Sequence, residues 1–398
     1  MNDSRAPKAI DLVYFNAGGG HRAAATALET VMREQGRPWQ VRLVNLMEVL
    51  DPNGVFWRTT GMNPEDLYNA RLARGWNVGL AQELKLLQAL IRLSHKSIAS
   101  QLRQHWRRTK PDLVVSLIPN FNRAMYQALA VAQPLTPYVT ILTDFADFAP
   151  HFWIEPSQAQ HFICGTPKAA AQARAMGYAE NQIHHSSGMI IRPEFYRESP
   201  LDRRAERQKL GFDPDRPIGI VMFGGTGSKL MQGIARRLDD TQLILICGHN
   251  APLAERLAAR DSTALHLVLG FTAEIRYYMQ LSDFFIGKPG PGSISEALQQ
   301  GLPVIVVRNS WTMPQERYNT DWLRDHNVGI VLDSFRTVAG GVAEITARRE
   351  EFRAAISNIR NCAVFEIPHI LDGIMESGRP DTHQALSSDY ARSAAVLT

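Results

Sequence analysis

His21 closes a glycine run, Asn16-Ala17-Gly18-Gly19-Gly20-His21-Arg22, between an apolar stretch and an alanine-rich one. An imidazole titrates near neutral pH, so here it can take a proton from an alcohol that is becoming a nucleophile. A helix starting at this point disfavours the imidazolium and keeps the ring neutral, able to act as a base. The plainer alternative is that His21 only hydrogen-bonds the loop. Asp144, in Thr143-Asp144-Phe145-Ala146-Asp147-Phe148, ends another apolar stretch. Its carboxylate either orients His21, serves as the base itself, or caps a loop. His151 and Trp153 follow closely enough to touch an acceptor.

A second chemistry lies in Gly287-Lys288-Pro289-Gly290-Pro291-Gly292-Ser293-Ile294-Ser295-Glu296. Glycine lets a backbone approach a ligand closely, and a helix start offers free N–H groups to an anion. Glu296, one turn in, sits beside whatever binds. A carboxylate near a phosphate is costly without donors of its own, and ribose hydroxyls are suitable ones. A third loop is Met222-Phe223-Gly224-Gly225-Thr226-Gly227-Ser228-Lys229. One such loop is a weak signal, because strand-to-helix turns need glycine for structural reasons. Three loops in two well-separated halves are harder to dismiss.

These residues need elements to hold them. In the first half, apolar runs predict strands over 10–15, 41–46, 112–117, 138–143 and 161–164, with helices such as 22–34, 122–131 and 167–176 between them. In the second half the predicted strands are 218–223, 242–247, 265–269, 283–286, 304–307 and 329–332. This alternation argues an α/β fold: two Rossmann-like doubly wound domains facing one another across a cleft. In open parallel sheets, ligands bind beyond the carboxyl ends of the strands, where all three glycine loops fall. The expected division is an N-terminal domain over 1–198, a charged and proline-punctuated linker over 199–216, a C-terminal domain over 217–375, and a polar tail over 376–398.

Composition narrows the class. The chain has 398 residues, enough for two cores, with 45% apolar and 21% charged residues. No apolar run reaches the roughly 18 residues of a spanning helix, and the first residues lack a secretory pattern. Cys164, Cys247 and Cys362 are far apart and form no CxxC, which fits a reducing cytoplasm and argues against a disulfide framework or a zinc site. The net charge of +4 is mild, and no nucleic-acid motif accompanies it. Residues 85–110 hold seven basic side chains and no acidic one. On a continuous helix Lys85, Arg92, Lys96, Arg103, Arg107 and Lys110 fall within roughly a 60° arc. Leu84, Leu87, Ile91, Ile98, Leu102 and Trp106 fall on another face. The stripe is either an ordinary solvated face or a surface for anionic lipid head groups.

At the glycine loops the chain resembles the monogalactosyldiacylglycerol synthases and processive diacylglycerol glucosyltransferases. These GT-B glycosyltransferases are related to the peptidoglycan N-acetylglucosaminyltransferase. Gly18-Gly19-Gly20-His21-Arg22-Ala23 is similar to their Gly-Gly-Gly-His-Arg-Ala motif, and 287–297 to their donor loop. The segment 188–195 is similar to the end of their first domain, and Pro314-Gln315-Glu316-Arg317-Tyr318-Asn319 to their Gly-Gln-Glu-x-x-Asn segment. The resemblance runs from about residue 10 to about residue 350. Departures are Phe223 for the first glycine of the loop at 223–227, Pro289 for a small residue and Pro314 for a glycine.

The resemblance implies an inverting transfer of galactose or glucose from a UDP-sugar to a lipid alcohol, diacylglycerol first, giving a β-glycolipid. UDP-sugar is then a co-substrate, with no metal and no other cofactor. It implies His21 or Asp144 as base and donor contacts at Gly19 and Gly20. It also implies diphosphate contacts at Gly224, Gly225, Thr226, Gly227, Pro291, Gly292 and Ser293, with Lys288 as a further one. Uracil falls to Phe271, ribose to Glu296, and the sugar hydroxyls to Gln315, Glu316 and Asn319. It favours an anionic membrane partner for Arg92, Lys96, Arg103 and Arg107, with the protein on the inner, cytoplasmic face. A nucleotide-sugar 2-epimerase, or transfer to another acceptor, is the alternative. A non-catalytic binding protein is a third reading.

Overall fold

The computed structural model describes residues 7–16, 19–52, 58, 88–148, 151–198 and 200–378. Its inner strands are short and apolar. In the first half β3 (Leu113–Ser116), β4 (Tyr138–Ile141) and β5 (His161–Cys164) are buried along their whole length. Parallel strands covered on both faces require such runs. With β1 (Lys8–Tyr14), β2 (Trp39–Asn45) and β6 (Ile183–His185) they form one sheet in the order β2-β1-β3-β4-β5-β6. Every pairing in it is parallel. The strand order reverses between β1 and β3. The loops leaving those two strands, with the loop after neighbouring β4, therefore open onto one crevice.

The second half repeats the plan. Strands β7 (Ile218–Met222), β8 (Gln242–Ile246), β9 (His266–Leu269), β10 (Phe284–Gly287), β11 (Val304–Val307) and β12 (Gly329–Leu332) order as β12-β11-β10-β7-β8-β9. All pairings are again parallel. Here the reversal lies between β7 and β10, the two strands that feed the glycine loops at 224–227 and 288–292. Both sheets have the doubly wound Rossmann-like form expected from the sequence.

Helices cover each sheet. Helix Gly20–Glu34 buries Ala24, Ala25, Leu28, Val31 and Met32. Trp106, Tyr126, Met125 and Leu129 pack with Tyr138 in the first core, and Phe284, Ile286, Met231, Ile234 and Phe352 in the second. Among the described residues no helix is long and apolar enough to cross a membrane.

The chain divides into two compact units. Among described residues, the first holds everything up to Arg192 and then Cys362 onward, and the second holds Pro193–Asn361. This differs from the expected boundaries in two places. Within the expected linker, Arg203–Lys209 is a helix of the second unit, capped by Asp202, whose carboxylate accepts from the Arg204 and Ala205 N–H groups. The last helix, Ala363–Ser377, falls in the first unit rather than with 217–375. It is held by an Arg37–Asp372 ion pair, by Ser187 N–H donating to Glu366 at 2.7 Å, and by Cys362 N–H donating to Ser187 Oγ at 2.7 Å.

Candidate active site

In the first unit, Gly19 caps helix Gly20–Glu34 in the left-handed conformation (φ 77°), and no side chain caps the helix start. Gly19 and Gly20 are exposed, and a Cβ at either would meet nothing within 4 Å. Open space and uncapped N–H groups coincide, as anion binding requires. Gly18 lies outside the described residues. His21 is half-buried on the first turn, with Nδ1 3.3 Å from the Thr143 hydroxyl and its ring 6.1 Å from that of Trp153.

Asp144, nearly buried, follows β4 at the same edge. The indole N–H of fully buried Trp153 donates to Asp144 Oδ2 at 2.9 Å. The Trp153 backbone N–H donates to Asp147 Oδ1 at 2.7 Å, and the Ile154 N–H to Asp147 Oδ2 at 3.3 Å. Gln172 clamps Asp147 from the other side, accepting its N–H and donating to its carbonyl, both at 2.9 Å. Burial pushes Asp147 up to about 6, against the pull of those backbone N–H groups. Asp147 is thus a brace for the loop that carries Asp144. His151 and Asn120 both take positive φ (53° and 67°) beside this loop, and the Asn120 N–H donates to the Phe152 carbonyl at 2.6 Å. Such backbone persists where surrounding contacts over-determine it.

The structure therefore gathers His21 and Asp144 at one sheet edge. It adds partners that sequence reading missed: Thr143 on His21, and Trp153 on Asp144. Trp153, expected from the sequence near an acceptor, is fully buried and braces Asp144 through its indole N–H. Thr143 was visible only as the residue before Asp144; its reach to His21 spans 122 positions.

In the second unit, Gly224 (φ 74°) and Gly227 (φ 60°) turn the loop after β7. Gly225 is exposed and Thr226 half-buried. The loop is tied down from behind, His249 N–H donating to the Gly225 carbonyl at 2.8 Å and Asn250 Nδ2 to the Thr226 carbonyl at 3.1 Å. Helix Pro291–Gln299 has Gly290 at its N-cap with no side-chain cap; Pro291, which lacks an N–H, opens it, and the N–H groups of Gly292 and Ser293 follow in its first turn. Glu296 is half-buried on this helix. Lys288 Nζ meets Glu316 Oε1 at 3.0 Å, with Glu316 almost fully buried.

The three residues expected at the sugar separate. Gln315 is half-buried, and Glu316 is engaged with Lys288. Asn319 is 0% exposed and donates to the Pro289 carbonyl at 2.8 Å, so in this structure it supports the donor loop from beneath. Phe271 is 65% exposed and stacks on His249, with ring centroids 4.3 Å apart and planes at 15°. The sequence signal for His249 was the glycine before it, Cys247-Gly248-His249 after β8, a turn not counted among the three loops. Among the described residues no group of three His, Cys, Asp or Glu comes together as metal ligands.

The basic stripe falls on the helical stretch 88–93 and, beyond Ser94, on helix His95–Thr109. Ser94 sits between two helical stretches, its N–H donating to the Leu90 carbonyl and its carbonyl accepting from Ile98. Arg92, Lys96 and Arg107 are exposed, Arg103 is half-buried, and Ile91, Ile98, Leu102 and Trp106 are buried opposite them. Leu90 and Leu93 are exposed beside the stripe. Lys85, Leu84 and Leu87 lie outside the described residues.

Both halves of the chain are similar to known proteins. Residues 21–189 match the family model of monogalactosyldiacylglycerol (MGDG) synthase. Residues 220–355 match that of the glycosyltransferase family 28 C-terminal domain. The chain is 28% identical to a chloroplastic monogalactosyldiacylglycerol synthase of Spinacia oleracea over 94% of this chain and 74% of that protein. It is 29% identical to a probable monogalactosyldiacylglycerol synthase 2 of Oryza sativa subsp. japonica, over 91% and 80%. Among solved structures, Acinetobacter baumannii MurG superposes with TM-score 0.56 at 13% identity, covering 92% of this chain and 100% of that one. The Streptomyces sp. SF2575 glycosyltransferase SsfS6, complexed with thymidine diphosphate, superposes with TM-score 0.52 at 13% identity, covering 92% and 99%. One model is matched in each half, and together they indicate a glycosyltransferase of the monogalactosyldiacylglycerol synthase and family 28 type, built on two Rossmann-like domains of the GT-B kind.

Proposed function

We propose that the protein transfers galactose or glucose from a UDP-sugar to a lipid alcohol, diacylglycerol being the first candidate, with inversion to a β-glycoside. The observation that carries this reading is the setting of His21. Its imidazole stands at the uncapped start of a helix, against the Thr143 hydroxyl and near an Asp144 carboxylate fixed by Trp153. His21, or Asp144, takes the proton of the acceptor hydroxyl. The oxygen then forms a bond to the anomeric carbon as the bond to the diphosphate breaks, and UDP leaves with both bonding electrons. Backbone N–H groups of Gly224, Gly225 and Thr226, and of Gly292 and Ser293 on the helix that Pro291 opens, stabilise the charge that grows on the diphosphate, while Gly227 closes the loop by donating to the Gly224 carbonyl. Glu296 receives the ribose hydroxyls, Phe271 and its stacked partner His249 lie against uracil, and Gln315 and Glu316 meet the sugar. Gly19 and Gly20 leave room beside the base. The names of the curated relatives support the lipid acceptor and the galactose donor.

The direct assay measures UDP release from UDP-galactose, UDP-glucose and UDP-N-acetylglucosamine, with and without diacylglycerol vesicles. Release that depends on both a UDP-hexose and the lipid supports the proposal. Release indifferent to lipid overturns the acceptor assignment.

Glu296→Ala should weaken UDP binding by about 1.5–3 kcal/mol, the range for hydrogen bonds to a charged group. Calorimetry on the full chain reads this directly, and equal affinities of variant and parent remove Glu296 from the ribose.

The exposed stripe gives a membrane prediction. Each of Arg92, Lys96, Arg103 and Arg107 near an anionic leaflet contributes about 1 kcal/mol, screened over a Debye length of about 8–10 Å. Binding to phosphatidylglycerol vesicles should therefore fall as salt rises, with a salt-resistant remainder from Leu90 and Leu93. Changing the four cations to Gln should abolish the salt-sensitive part and leave UDP binding intact. Unchanged vesicle binding would make the stripe an ordinary solvated face.

A further inference from the structure

At the amino ends of β7 and β10, on the far edge of the second sheet from its glycine loops, three arginines converge on one carboxylate. Asp283 Oδ1 accepts from Arg203 at 2.9 Å and from Arg349 at 2.8 Å. Its Oδ2 accepts from Arg207 at 2.7 Å and from the Ile218 N–H at 2.9 Å. Each oxygen already takes two donors, so the carboxylate has no acceptor capacity left. Its side chain is 6% exposed.

The charge does not close. Three guanidiniums face one carboxylate, leaving an excess of two positive charges in a partly desolvated place. Nearby acids are turned to other tasks: Asp202 caps its helix, and Glu206 accepts from the Tyr277 hydroxyl and Lys209. Arg207 is buried and consumed internally, donating also to the Leu281 and Pro214 carbonyls. Arg203 and Arg349 are less fully used, although Arg203 also donates to the Ser282 carbonyl. Their side chains are 34% and 41% exposed, and the Nε of each is buried with no hydrogen-bond partner. Burial, helped by repulsion from Arg207 and Arg349, pushes the Arg203 guanidinium below its ordinary value against the pull of Asp283. Asp283 is held below the usual carboxylate range, since the arginines and the Ile218 N–H outweigh its burial.

A planar guanidinium pair with unused donors and uncompensated charge fits a tetrahedral oxyanion, which arginine meets with two parallel N–H bonds. We propose that Arg203 and Arg349, backed by Arg207 and Asp283, form a second anion site, for a phosphate group, separate from the donor loops. The phosphate is either free in solution or the head group of a phospholipid, and the chemistry of recognition is the same.

The test uses the full chain saturated with UDP, so that the donor loops are filled. Inorganic phosphate is titrated against chloride at matched ionic strength while thermal unfolding is followed. A saturable rise of roughly 2–5 °C at ten times the half-saturating concentration is expected. The Arg203→Gln/Arg349→Gln double variant should lose it. Asp283 keeps Arg207 and the Ile218 N–H in that variant. Phosphatidylglycerol vesicles that compete with phosphate assign the ligand to a head group, and vesicles that do not compete assign it to soluble phosphate. A parent that responds to phosphate no more than to chloride overturns the site, as does a variant that keeps the full response. Should the variant not fold, crystals of the parent soaked in selenate decide. An anomalous peak between the Arg203 and Arg349 guanidiniums is expected, and its absence overturns the proposal.

Discussion

Replacing His21 by alanine should lower turnover by roughly 10²–10⁴, the usual size of a general-base contribution, and leave UDP affinity almost unchanged. The two readouts separate because His21 belongs to the first unit, whereas the uncapped helix at Pro291 and the loop at Gly224–Gly227 belong to the second. Steady-state kinetics beside UDP calorimetry measures both. Asp144→Asn is the companion. Asparagine keeps an oxygen for the Trp153 indole N–H, so the loop geometry survives while the charge is lost. If Asp144→Asn is severely impaired and His21→Ala turns over nearly as the parent does, the base is Asp144 and His21 is loop structure. If both are severe, Asp144 orients or complements the imidazole.

The second large effect comes from a glycine that contacts no ligand. Gly248 has φ 60°, and a Cβ there would overlap the Gly225 carbonyl, 2.6 Å from its carbon. A left-handed alanine costs about 1–2 kcal/mol, and pushing packed backbone aside costs about 1–3 more. Gly248→Ala should therefore destabilise the protein by about 2–5 kcal/mol. It should also move Gly225, and so weaken UDP binding by on the order of 10–100-fold if this loop holds the diphosphate. Gly340→Ala is the control. It lies in helix Val338–Ala347 with nothing within 4 Å of the added methyl, and should be neutral or slightly stabilising. Parent-like UDP affinity in Gly248→Ala would take the diphosphate away from this loop.

The inner strands were legible because parallel strands covered on both faces cannot avoid apolar runs. Strands β3, β7, β8 and β10 lie within a residue or two of the runs in the sequence. Strand β6, Ile183–His185, was not legible. It is three residues long, carries two histidines and lies at a sheet edge, where no run is demanded. The glycine turns were legible because left-handed backbone favours glycine, as at Gly19, Gly224 and Gly227. Their supports were not. Asn319 under Pro289, His249 behind Gly225 and Thr143 against His21 are distances across the fold, and no local pattern encodes them. The placement of helix Ala363–Ser377 was hidden for a related reason. An amphipathic pattern says that a helix packs, but not on which unit.

Transfer of a hexose from UDP to a lipid hydroxyl with inversion leaves its record in the product. The most direct measurement incubates the full chain with a UDP-hexose and diacylglycerol vesicles, extracts the lipid and reads the anomeric configuration of the product by proton NMR. A hexosyl diacylglycerol with a β linkage is expected. An α-linked product would contradict the inverting mechanism. An epimerised or merely hydrolysed nucleotide sugar, with no glycolipid formed, would contradict the claim of transfer itself.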